Sequence, residues 1–194
     1  MAAVRRAGFG GAAEFRVFRE QHGEEAGGLA LKFGKPAVNA ITRYGGVALV
    51  PIKRHGEPAA VAIANYGKPA LDAIVRHGGS AAVAIVRHGG SAVVAIVRHG
   101  RPAVVAIANY GRPAVDAIVR HGKPALDAIA EHGKPAVDAI AEHGRPAVDA
   151  ISEHGKPAVV AIVRYGKLAF RTIRAAERKH LDVKAVLKKL AASK

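Results

Sequence analysis

The chain has no cysteine, no tryptophan and a single methionine, and Phe, Trp and Tyr together supply only 5% of its 194 residues. The lack of cysteine excludes disulfides, thiolate nucleophiles and cysteine-ligated zinc. With so few rings the core must be built from Ala, Val and Ile, small and β-branched side chains that let helices approach closely. Serine occurs only at positions 80, 91, 152 and 193, and no nucleophile, base and orienting acid stand together outside the regular pattern described below. No phosphate-cradling glycine loop departs from that pattern, so no enzymatic activity, cofactor or small-molecule substrate is expected. Long hydrophobic runs are also missing. Glycine, usually followed by proline, interrupts each stretch well short of the roughly 18 apolar residues that a spanning helix needs. The opening "MAAVRRAGFGGAAEFRVFRE" has no apolar core of a secretory signal. We expect a soluble, cytoplasmic protein, with an organellar presequence as the alternative that Arg5 and Arg6 leave open. Acids are scarce, 15 against 30 Lys and Arg, and the charge of +15 points to polyanions or acidic protein surfaces as partners.

What the chain does have is a repeat. Glycine recurs every eleven residues from Gly23 to Gly166 without insertion or deletion. Counting each repeat glycine as slot zero, slot three is always Ala and slot seven always Ile from Gly34 onward, thirteen times each. Nine of the ten prolines occupy slot two, and slot ten, just before the next glycine, holds nine of the ten His and all four Tyr. An eleven-residue period also suits one continuous supercoiled helix. Proline inside a helix costs about 3 kcal/mol and glycine about 1 kcal/mol, which excludes that reading. The pattern instead predicts one short helix per repeat, running from proline at its first position to the slot-ten ring, with glycine beyond its end. Apolar residues in slots three, four, seven and eight form one face, with a further Ala in slot six. Helices this short need neighbours to bury that face.

The expected fold is therefore all-α: an α-solenoid of about thirteen 11-residue single-helix repeats joined by short Gly-Lys/Arg-Pro turns, plus a basic C-terminal helix. Residues 1–33 would form an N-terminal cap with one degenerate repeat, or be partly disordered; 34–166 the repeats; 167–194 a basic helical tail. The style resembles HEAT-like α-solenoids. Val104–Ile118, "VVAIANYGRPAVDAI", resembles the first helix and base-reading loop of TAL-effector repeats. That resemblance covers one repeat, needs a gap and departs from the much longer period of those proteins, so it carries no base-reading role onto Asn109 or Tyr110.

The slot-ten histidines invite a metal reading. Histidines on one edge of an antiparallel stack, however, lie one helix spacing of roughly 8–10 Å apart, too far to share an ion. Packing of the ring over the next turn is the expected role, and Tyr or Phe in the same slot agrees with it, so no metal site is expected. Cations recur in slot one, at 35, 68, 101, 112, 123, 134, 145, 156 and 167. They suit either a ladder of phosphate sites at helix N-termini or simple shielding of the turns; shielding is preferred because the Gly-Gly-Ser repeats drop the cation.

Charge is segregated along the tract. Between 122 and 154 slots five and nine carry Asp127, Glu131, Asp138, Glu142, Asp149 and Glu153, an acidic block expected to face outward and bind a basic partner. Earlier repeats place Val in slot five and Arg in slot nine. Val83, Val94 and Val105 with Arg76, Arg87 and Arg98 form the expected apolar and basic interface, covered either by the tail or by another chain. Arg171, Arg174, Arg178, Lys179, Lys184, Lys188 and Lys189 give the tail an anchor for polyanions. The function expected is that of a non-enzymatic scaffold working through a protein partner or self-association. The alternative is non-specific binding to the phosphate backbone of RNA or DNA.

Overall fold

Each repeat glycine ends one helix and starts the next, and its backbone shows how one residue does both. In the computed structural model, which describes residues 2–192, Gly144 has φ 61° and ψ −137°. Its N–H donates to the Ile140 carbonyl at 2.8 Å, closing the preceding helix. Its own carbonyl accepts from the amides of Ala147 and Val148 at 3.1 and 3.3 Å, opening the following one. A helix start leaves four amides without partners. Here slots three and four are served by the glycine carbonyl, and proline in slot two removes a third, so only the slot-one amide remains. The helix thus begins one residue earlier than the sequence predicts, with proline in its second position. The same positive φ recurs at every repeat glycine from Gly34 to Gly166.

The chain is all-helical, with fifteen helices and no strand among the described residues. It divides into two compact units, Met1–Gly100 and Arg101–Lys194. The first contains α1 (Ala2–Arg6), α2 (Ala12–His22), α3 (Glu24–Phe33), α4 (Lys35–Tyr44), α5 (Gly46–His55), α6 (Glu57–His77), α7 (Gly79–His88) and α8 (Gly90–His99). The second contains α9 (Arg101–His121), α10 (Lys123–His132), α11 (Lys134–His143), α12 (Arg145–His154), α13 (Lys156–Tyr165), α14 (Lys167–Arg178) and α15 (Val183–Ala192). Two of these, α6 and α9, are each a pair of repeat helices broken at Gly67 and Gly111, where φ is 67° and 62°.

Within each unit a repeat helix packs on its neighbour and on the helix two repeats away. The buried face is made by slots three, four, six and seven, as in Ala125, Leu126, Ala128 and Ile129 of α10. Slot eight, expected in the core, faces out: Val75, Val86, Val97, Val119 and Val163 are all exposed. The slot-six alanines lie where a neighbouring helix comes close, and a valine there would hold it off.

Slot-ten rings do pack over turns, but over those two repeats on rather than the next. A Cβ built on Gly78 would lie 3.7 Å from the His55 ring, one on Gly89 3.2 Å from the Tyr66 hydroxyl, and one on Gly166 3.6 Å from the His143 ring. Consecutive helices run back along each other, so alternate turns share an edge and the ring meets the second turn along.

The N-terminal helices bring Phe9 within 5.2 Å of both Phe15 and Phe18, centroid to centroid, and bury Phe9 and Phe18. Glu25 of α3 pairs with Lys53 of α5 at 2.6 Å. At the other end the tail is two helices. They turn at His180, whose φ is 53°, and Asp182 caps α15 through the Ala185 amide at 3.2 Å. Leu187 is buried as α15 packs on α13 and α14.

Candidate protein-binding surface

Pairing of repeats two apart leaves clefts between several of these pairs. One lies between α5 and the second half of α6, lined by Val47, Val50, Pro51, Arg54, Ile74 and Val75. Pro51 sits at slot six of α5, inside the helix, and is buried at the cleft floor. The walls are Val47, Val50 and Val75, 64%, 62% and 60% exposed, the most open of the large hydrophobic side chains among the described residues. Val47, Val50 and Val75 thus adjoin as one exposed apolar patch. The next cleft of the same series runs from Lys68, Asp72 and Arg76 to Val97.

The residues singled out from sequence fall into this scheme unevenly. Val94 of α8 and Arg76 belong to the series that includes Val50 and Val75, whereas Val83 of α7 belongs to the alternate one, so the expected single row is split. Val83 and Val94 are 40% and 41% exposed, and α15 packs on α13 and α14. Arg76, Arg87 and Arg98 are exposed. In the second unit Val105 lines a cleft with Arg101, Asn109, Tyr110 and Ile129. Missed by the sequence reading were Val47 and the slot-eight valines Val75 and Val97, whose hydrophobicity had placed slot eight in the core.

The six acids of the 122–154 block are all exposed. Their partners differ. Lys123 Nζ reaches Asp127 at 2.6 Å, Lys134 Nζ reaches Asp138 at 2.7 Å and Arg145 Nε reaches Asp149 at 2.7 Å, each an i, i+4 pair; Arg112 and Asp116 do the same at 3.1 Å. Such pairs contribute about 0.3–0.5 kcal/mol each. They also give four of the nine slot-one cations, Arg112, Lys123, Lys134 and Arg145, a role that neither the phosphate ladder nor simple shielding anticipates. The glutamates turn instead to the neighbouring ring: Glu131 lies 3.7 Å from His132 Nε2, Glu142 3.7 Å from His143 and Glu153 3.6 Å from His154. Glu131, Glu142 and Glu153 thus face a histidine where the aspartates face a lysine or arginine.

No protein-family model, curated protein or solved structure matches the chain. Residue chemistry alone carries the functional argument.

The tail cations Arg171, Arg174 and Arg178 of α14, Lys179 of the turn, and Lys184, Lys188 and Lys189 of α15 are all exposed. Arg171 and Arg174 line a shallow cleft with His143, Pro146, Lys167 and Phe170. Phe170 sits in slot four and meets the His143 ring edge-on at 5.2 Å between centroids. No helix among the described residues is long and apolar enough to cross a membrane.

Proposed function

We propose that the chain is an α-solenoid of eleven-residue single-helix repeats that acts as a non-enzymatic scaffold, holding a protein partner against the valine-lined clefts of its first unit. The observation that carries this reading is the trio of valines 47, 50 and 75, open to solvent around one cleft and flanked by Arg54. A partner segment with apolar residues in the cleft and acids at its rim would fit. A chain's own acidic block meets the same requirement at the rim, which makes self-association one form of the proposal. Replacing Val47 and Val75 together by glutamate leaves the core untouched and is expected to abolish association, read by sedimentation equilibrium for self-assembly and by cross-linking in host extract for a partner. A wild-type protein that sediments as a monomer and cross-links to nothing would sink the proposal.

The exposed tail supports a second reading, as a polyanion binder. Seven cations on α14, the turn and α15 predict an affinity for single-stranded RNA that falls steeply, by roughly 10³ or more, between about 50 and 200 mM salt. Affinity that is flat across that range overturns it.

A further inference from the structure

The ring register of the repeat runs out at His154. His55, His77 and His143 each turn Nε2 towards a glycine two repeats on, 3.8, 3.7 and 3.6 Å from where a Cβ would stand on Gly78, Gly100 and Gly166. The same step from His154 arrives at Glu177 in α14, where the glycine punctuation has stopped. A carboxylate therefore occupies the place of a glycine. His154 Nε2 lies 3.8 Å from Glu177 Oε1 and 3.6 Å from Glu153 Oε2. It is buried and makes no hydrogen bond, on a side chain only 12% exposed.

These separations are too long for direct hydrogen bonds. They lie close to the ~3.3 Å edge of a tetrahedron around an ion bonded at about 2.0–2.1 Å. All three ligand atoms fall within 4.8 Å of one another, and both glutamates are exposed enough to move the remaining distance. The regular pairs Glu131–His132 and Glu142–His143 show the same spacing but gain no third ligand among the described residues. Nitrogen in the donor set favours a borderline ion such as zinc over calcium or magnesium. Asp149 and Arg174 line the same cleft, one acid and one cation beside the three ligands.

We propose that Glu153, His154 and Glu177 bind a divalent ion of the zinc class through one imidazole nitrogen and two carboxylate oxygens, clipping α14 to the end of α12. No second histidine is needed at this site, because Glu153 of α12 and Glu177 of α14 supply the other ligands.

Titration of the full chain with Co²⁺ is expected to give one equivalent of visible absorption that Zn²⁺ displaces. Zn²⁺ at about 100-fold over its Kd is expected to raise Tm by roughly 5–10 °C. Glu177→Gln, at an exposed position, should weaken binding by more than the roughly 10–100-fold that an outer-shell partner is worth. His154→Tyr, which installs a ring the repeat itself uses in that slot, should do the same. Glu142→Gln, in the pair without a third ligand, should bind as wild type does. Wild-type affinity in Glu177→Gln, or a wild-type protein that gives no Co²⁺ absorption, overturns the site regardless of how His154→Tyr behaves.

Discussion

Replacing Ile129 by alanine is expected to cost about 2–5 kcal/mol, read as a fall in the urea midpoint. Ile129 is 1% exposed, and with Ala125, Leu126 and Ala128 it makes the whole buried face of α10. A ten-residue helix is marginal in isolation, so this buried face is its main source of stability. The same truncation at Val163, in slot eight, removes two methyl groups from a side chain 55% exposed and should stay within about 0.5 kcal/mol. The two mutants together test which slots face inward. Equal losses at both would return slot eight to the core.

Gly144→Ala should destabilise the protein by about 2–3 kcal/mol, a Tm lower by roughly 5–10 °C. The usual expectation at a helical glycine runs the other way, since alanine is the better helix former by about 1 kcal/mol. Space is not the obstacle, because a Cβ there would meet only His121 Nε2 at 4.0 Å, an ordinary contact. The obstacle is the backbone, with φ 61° combined with ψ −137°. Asparagine tolerates the left-handed helical region, where ψ is near +47°, but this glycine is far from it. Gly144→Asn is therefore expected to be no better than Gly144→Ala. Recovery of stability by asparagine, in the same thermal melt, would show that the turn can relax into an ordinary left-handed cap.

Much of the fold could be read from the spacing of glycine, proline, alanine and isoleucine alone. An invariant glycine between two helical patterns already requires a positive φ, and proline just inside a helix already marks its start. What could not be read was which flank of the Ala-Ile stripe turns inward. Slots six and eight lie on either side of slots three, four and seven at 100° per residue, and the five valines of slot eight favour its burial, although Lys53, Ser152 and Arg174 share that slot. Close approach decides instead in favour of alanine, as at Ala128 and Ala139, and close approach is a property of the neighbour rather than of the strip itself. The surface was legible in part for the same reason. Asp127 and Glu131 were placed correctly on the outside, but an aspartate has two neighbours at helical spacing, and Lys123 rather than the next turn holds it. Glu177 carried a signal that was not followed: it stands at the position the glycine register would have reached next.

Alternation of repeats also sets rules for how such a chain can change length. One extra eleven-residue unit placed between Gly56 and Gly67 would leave every turn and every ring contact satisfied. It would also carry Val75 and Val97 out of line with Val50, while a duplicated pair would keep them in line. Folding is indifferent to the parity of the insertion and the valine clefts are not, so descent with this surface intact should proceed in even steps.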